Sequence, residues 1–345
     1  VRFERVHIAG LAHHLPQRRV TSESLEQELL PLYERLRLRV GRLELMSGVR
    51  ERRHFEPGTR PSGVAAEAAT AALAASGLAA SAIGCLVHAS VCRDFLEPAT
   101  AAVVHRALRL PDTARAFDLS NACLGFVDAL TIVGGLVERG EIEAGLVVAG
   151  EDGGPLVRRT VAELLRDPSV GKAELKRAFA SLTIGSGAAA AVVVRSDLAP
   201  PGAARLLGGA TLADTSAVEL CQGDSADGGG ALMETDSEAL LVAGCGLAAR
   251  TWPRFLAEVG WRAGDVERVI THQVGVAHRR ALLAALDLGE GLDFPTVEFL
   301  GNVGSVSLPA TLALAREAGF VAPGQRVALL GIGSGLQCTM LALAT

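Results

Sequence analysis

Phe117-Asp118-Leu119-Ser120-Asn121-Ala122-Cys123-Leu124-Gly125-Phe126 is the stretch on which the reading of the chain turns. It reads as a short strand, a tight polar turn and the start of a helix. Residues 123 to 139 place apolar side chains at 123, 126, 127, 130, 133 and 137. That is helical spacing, and most remaining positions are apolar too, so the helix is expected to be buried on several sides. Ser120 and Asn121 are its N-cap candidates. Cys123 then falls in the first turn, where the macrodipole and free backbone N–H groups favour a thiolate and lower its pKa. This makes it a candidate nucleophile. The plainer reading is a small buried hydrophobe.

Outward from this stretch, strands and helices alternate. Residues 3–12 read as a strand and 22–45 as helical. Residues 62–76 form an Ala-rich helix with Ser62 as candidate cap. A buried strand at 83–90, a helix at 99–108 and a strand at 145–149 follow. Short loops between such elements point to a layered α/β fold. With Asn121 and Asn302 as anchors, the two segments match element for element: polar turn, helix, loop and apolar strand. Ile184-Gly185-Ser186-Gly187 and Ile332-Gly333-Ser334-Gly335 continue the match between strand-like runs. An internal duplication is therefore expected, with halves at 1–197 and 198–345 and an insertion at about 151–183 in the first. Residues 222–231, rich in Gly, Asp and Ser, read as a loop without a phosphate-binding pattern.

Composition narrows the class. Of 345 residues, 49% are hydrophobic and only 4% aromatic, the profile of a tightly packed α/β enzyme. A net charge of −5, with both signs dispersed, gives no reason to expect nucleic acid or a membrane surface as partner. The basic cluster Arg50-Glu51-Arg52-Arg53-His54 is expected to be a solvated face. The cysteines at 85, 92, 123, 221, 245 and 338 show no C-x-x-C spacing, so neither a metal nor a dithiol site is expected. With no apolar leader and no run suited to a membrane span, a cytoplasmic location with free thiols is expected.

Three further positions could carry chemistry. His272 follows the strand-like Glu267–Thr271 stretch, at a strand end where α/β folds present reactive groups. Asn302 lies in the Gly-rich turn Leu300–Ser305 before a helix. Gly333-Ser334-Gly335 is a tight strand-to-strand turn whose N–H groups could face a substrate oxygen. Cys123, His272, Asn302 and this turn form a coherent acyl-transfer set: a thiolate attacks a thioester, N–H groups hold the oxyanion, and His and Asn donate to an enolate oxygen.

SNACLGF around Cys123, THQVG with His272, GNVGS with Asn302 and the closing LLGIGSG resemble the motifs of the thiolase superfamily, in its ketoacyl synthase III-like branch. Within that branch, IAGLAH, SVCRDFLEPATA and GIGSGLQC resemble most the enzymes that begin head-to-head olefin biosynthesis. The resemblance implies a five-layered αβαβα thiolase fold of two duplicated halves, active as a homodimer. It implies that Cys123 takes a long-chain acyl group from coenzyme A and that the amides of Cys123 and Ser334 form the oxyanion hole. His272 and Asn302 would bind the oxygen of a second acyl-CoA as it enolises. Glu97 would act as general base from across the dimer interface, and the product would be a 2-alkyl-3-oxo acid for later pathway enzymes. No cofactor is implied beyond the coenzyme A thioester substrates. The alternative is a synthase III that extends an acyl-CoA with malonyl-carrier protein. Such an enzyme generates its carbanion by losing carbon dioxide and needs no base at the α-carbon. A Cys-His-Asn peptidase shares the residue order, but the duplication and the central position of Cys123 count against it. Many relatives carry an acidic residue in the stretch that here reads Gly185-Ser186-Gly187. Its absence moves the chain away from malonyl-using enzymes.

Overall fold

The computed structural model describes residues 1–224 and 232–345. Most of the loop expected at 222–231 lies outside the described residues. The chain opens with β1 (Val6–His14), β2 (Arg19–Thr21), α1 (Ser22–Glu28), α2 (Leu30–Arg35), α3 (Arg42–Ser47), β3 (Glu51–Arg53) and α4 (Pro61–Ser76). Next come β4 (Ile83–His88), α5 (Thr100–Leu108), β5 (Arg115–Asp118), α6 (Gly125–Glu138) and β6 (Ala144–Glu151). Two helices, α7 (Gly154–Arg166) and α8 (Lys172–Leu182), then separate β6 from β7 (Gly187–Arg195). After β7 come β8 (Ala204–Ala213), β9 (Cys221–Asp224), β10 (Leu232–Thr235) and α9 (Ser237–Val259). The chain ends with β11 (Arg268–Thr271), α10 (Val276–Ala285), α11 (Val297–Leu300), α12 (Ser307–Glu317), β12 (Arg326–Gly333) and β13 (Gln337–Ala344).

Among the described residues, nine strands hydrogen-bond in the order β11-β12-β13-β8-β1-β7-β6-β4-β5. The seam is a short antiparallel contact of β1 with β8, pairing His7 with Arg205 and Ile8 with Ala204. On each side of it the same pattern recurs. β6 and β7 are antiparallel and β4 and β6 parallel; β12 and β13 are antiparallel and β11 and β12 parallel.

Burial divides the molecule into five layers. α6 and α12 are the middle one. Phe126, Leu130 and Val133 of α6 and Leu308 and Leu312 of α12 pack against Val87, Val147 and Val193 on one side and Leu329 and Leu341 on the other. An Ala-rich face of α4 (Ala65, Ala68, Ala69, Ala72) covers the outer surface of β4, β6 and β7. Leu247 and Phe255 of α9 and Leu282 of α10 cover the outer surface of β12 and β13. This is the αβαβα thiolase-like arrangement. α6 buries most of its circumference (Phe126, Val127, Ala129, Leu130, Val133 and Val137), which is stable only for a helix covered by apolar layers on more than one side, and leaves a narrow stripe with Asp128, Thr131 and the exposed Ile132 outside that contact.

A separate lobe is built from α1–α3 and the α7–α8 insertion, which share a core of Leu25, Leu29, Tyr33, Val161, Leu175 and Phe179. Three sequence expectations fail in and near it. The helix expected over 22–45 is three short ones, because Pro31 has no N–H to continue α1 and Gly41 turns the chain at φ +97°. Arg52 of the supposedly solvated basic cluster is wholly buried, donating to the Val20 carbonyl at 3.2 Å and the Ser22 hydroxyl at 3.0 Å. Burial lowers its pKa to about 10. Ser62 does not cap α4, whose N-cap is Arg60 with Pro61 in the first position. Instead its N–H and hydroxyl bind the Asp94 carboxylate at 2.9 and 2.6 Å.

Candidate active site

Cys123 sits at the end of a strained turn between β5 and α6. Ala122, immediately before it, has φ +45°, a left-handed conformation that costs a residue with a Cβ and persists only where the surroundings enforce it. Asn121 does the enforcing. Its amide donates to Asp128 of α6 at 2.5 Å and to Gln337 of β13 at 3.3 Å. It is therefore a brace, not the expected N-cap. Ser120 is exposed, and α6 begins at Gly125 with Leu124 as N-cap. Cys123 thus lies outside the first helical turn. Burial, reinforced by the Glu151 carboxylate and the Cys221 thiol, pushes its pKa up to about 12. The expected thiolate is corrected: the resting side chain is a thiol, because desolvation and a nearby negative charge outweigh a helix end that starts beyond it. All six cysteines are free.

The Gly333–Gly335 turn lies against this loop. A Cβ on Gly333 would stand 2.9 Å from the Leu124 side chain, and one on Gly331 at 2.6 Å, so the end of β12 passes closely beside the residue that follows Cys123. β11 runs parallel to β12, and the His272 N–H donates to the Leu330 carbonyl at 2.8 Å. His272 is buried, and neither of its ring nitrogens has a hydrogen-bond partner among the described residues. Burial, with a smaller contribution from His278, lowers its pKa to about 4, so the ring is neutral near pH 7. A buried, neutral imidazole of this kind can donate or accept a hydrogen bond through either nitrogen, according to its tautomer.

Asn302 is held by its own backbone. Its N–H donates to the Thr183 carbonyl at 3.0 Å, and its carbonyl accepts from the Gly185 N–H at 2.8 Å. Its side-chain Oδ1 accepts from the Gly304 N–H at 3.0 Å. That bond assigns the oxygen end of the amide and leaves the NH2 group as its donor end. Two glycines make the turn possible. Gly301 has φ +67°, and a Cβ there would meet the Thr183 carbonyl at 2.3 Å; Gly304 has φ +56°.

Glu97 is not brought to this group within the protomer. It is exposed near the tip of the loop after β4, where Leu96 is 93% exposed and Phe95 38%. The base of that loop is fixed. The Asp118 carboxylate accepts from the Thr100 and Ala101 N–H groups at 2.8 Å each, and the Asp94 N–H donates to the Thr100 hydroxyl at 3.2 Å. The residue that sequence reasoning missed is Glu151. It ends a strand that is otherwise apolar and is buried at the floor of the site. A carboxylate inside an apolar run was the available signal. Among the described residues no group of His, Cys, Asp or Glu could hold a metal ion, and no helix is long and apolar enough to cross a membrane.

Two comparisons of full length decide the family. The chain is 38% identical to the acyl-CoA:acyl-CoA alkyltransferase of Shewanella oneidensis, covering 99% of each. It is 36% identical to the enzyme of the same name from Xanthomonas campestris, covering 98% of each. The chain belongs to the acyl-CoA:acyl-CoA alkyltransferase family. Residues 256–344 match the model of the 3-oxoacyl-[acyl-carrier-protein] synthase III C-terminal region, in keeping with that family's place in the wider thiolase-like group. Among solved structures, a variant of Xanthomonas campestris OleA in which a glutamate is replaced superposes with a TM-score of 0.95 at 35% identity, over 100% of this chain and 98% of that one. Other structures of the same alkyltransferase hold cerulenin, or lauric acid and lauroyl-CoA.

Proposed function

We propose that this protein joins two long-chain fatty acyl-CoAs without decarboxylation, giving a 2-alkyl-3-oxo acid as the first step toward head-to-head olefins. What supports the reading is a buried, neutral His272 whose ring nitrogens have no partner among the described residues, together with an Asn302 side chain whose oxygen is taken by the Gly304 N–H so that its NH2 group is left to donate. In the first half-reaction Cys123 loses its proton and attacks the acyl-CoA carbonyl. The N–H groups of Cys123 and Ser334 hold the oxyanion, and coenzyme A leaves as its thiol. In the second, Glu97 takes an α-proton from another acyl-CoA while His272 and Asn302 donate to the enolate oxygen. The carbanion attacks the acyl-enzyme, the Cys123 thiolate departs, and water cleaves the remaining thioester. Two coenzyme A molecules are released per product.

Glu97 acts in the site of a partner protomer. Its exposure, on a loop tip carrying the exposed apolar side chains Phe95 and Leu96, supports a homodimer in which that tip is buried by the second copy. The thioesters themselves are the only coenzyme-derived species required. The enzyme works in the cytoplasm and passes its unstable β-keto acid to the later enzymes of the pathway. Mixed dimers test this arrangement. A Glu97→Ala protomer paired with a Cys123→Ala protomer regains one working site if the base is supplied in trans. It stays inactive if Glu97 serves its own protomer.

A further inference from the structure

Glu151 is only 4% exposed, and its carboxylate accepts from two segments far apart in sequence. Oε1 accepts from the Val91 N–H at 2.9 Å, the Ser305 hydroxyl at 2.8 Å and the Ser305 N–H at 3.4 Å. Oε2 accepts from the Cys92 N–H at 3.0 Å. Val91 and Cys92 open the loop that carries Glu97. Ser305, wholly buried, stands three residues after Asn302. Between them, Gly304 passes so close that a Cβ would lie 3.0 Å from Oε1. Each of these donors is a neutral N–H or O–H, and all of them need an acceptor. A carboxylate, with acceptors only, meets that demand, and a carboxamide cannot.

We propose that Glu151 is a positioning residue for condensation, a single carboxylate that locks the Glu97 loop to the Asn302 turn beside Cys123. The inference rests on the roles given above to Glu97 and Asn302. It has a consequence for the dimer. Glu97 is delivered to the partner, whereas Asn302 serves its own protomer. Glu151 therefore ties the base of one site to the enolate donor of the other.

Glu151→Gln tests this, because it keeps the shape and must turn an NH2 toward at least one donor. Cys123 acylation, read as the burst of the first coenzyme A, should persist at full amplitude. The condensation kcat should fall on the order of tenfold with KM for acyl-CoA little changed. The midpoint for iodoacetamide alkylation of Cys123 should move to lower pH, since a nearby negative charge is gone. A heterodimer then isolates the loop. A Cys123→Ala/Glu151→Gln protomer paired with a wild-type protomer leaves one site, with its own Asn302 turn intact and its base supplied by the altered loop. That site should condense on the order of tenfold more slowly than the site of a Cys123→Ala/wild-type heterodimer.

Equal rates in the two heterodimers, or a Glu151→Gln homodimer that condenses normally, would overturn the proposal. If Glu151→Gln does not fold, Ser305→Ala removes one bond to the same oxygen and should slow condensation several-fold with the burst intact; an unchanged rate would count against the lock. A Glu97→Ala control separates the premises. Normal condensation by that variant would remove the base role, whereas loss there with a normal Glu151→Gln enzyme would remove only the lock.

Discussion

Cys123 is held as a thiol by burial and by Glu151, so its reactivity should rise with pH well beyond the range of an ordinary cysteine. Alkylation rates measured from pH 7 to 11 should still be climbing at the top of the range; a plateau near pH 7 would mean a thiolate at rest. Asn302→Asp isolates the donor role, because Oδ1 can still accept from Gly304 N–H while the NH2 group is lost. Condensation should fall about 10²–10³-fold, the usual cost of removing one oxyanion donor, with coenzyme A release from the first substrate retained. A variant that condensed normally would show that Asn302 serves only the turn. At this scale the sequence was informative where chemistry follows from residue type. It made Cys123, His272 and Asn302 candidates by residue type and by their settings in a turn before a helix, at a strand end and in a Gly-rich turn. It misjudged the state of Cys123, because burial, the leading cause, and the charge on Glu151, 28 positions away, both reach the thiol only through the fold. Arg52 was misread for the same reason: its partners Val20 and Ser22 are 32 and 30 positions distant.

At the scale of elements, α6 carries the nucleophile turn and the centre of the core together. Phe126 is 1% exposed at its first turn, among Val87, Leu130 and Val306 in the same apolar cluster. Phe126→Ala should cost about 3–5 kcal/mol, read as a lower urea midpoint. A loss below 1 kcal/mol would mean that the middle layer is not closely packed. The long helices and buried strands were legible because their periodicity is local. The 22–45 segment was not, since Leu spacing continues through Pro31 and Gly41 while the backbone cannot. The turn before α6 was legible as a turn, yet its helix start was placed two residues early. Asn121 is chemically suited to capping, and only tertiary contact with Asp128 and Gln337 shows that its amide is used elsewhere.

The whole molecule buries several histidines in neutral form, and its stability should depend on pH accordingly. His54, His88 and His272 are each lowered to about 4, with burial the leading cause. In the unfolded chain they titrate near 6.5. Between those values the unfolded state binds protons that the fold refuses. Their contribution is therefore complete above about pH 6.5 and is lost as the pH falls toward 4, at no more than about 4 kcal/mol per pH unit for three groups. Burial raises Asp128, Asp152 and Asp293, which pushes the other way and makes the slope shallower. Urea midpoints should be lower at pH 5 than at pH 7.5; the reverse order would contradict the buried neutral state.

The layered architecture was legible from the matching segments around Asn121 and Asn302, which run into β6 and β12. The role of Glu97 across an interface was suggested by the family resemblance and not by local pattern, since within the protomer its loop tip is simply exposed. The central claim is condensation of two plain acyl chains, and product analysis tests it most directly. Purified enzyme given a long-chain acyl-CoA alone should form the 2-alkyl-3-oxo acid, or the ketone left when it loses carbon dioxide, with two coenzyme A molecules released per product. The absence of any condensed product until malonyl-carrier protein is added would contradict the account.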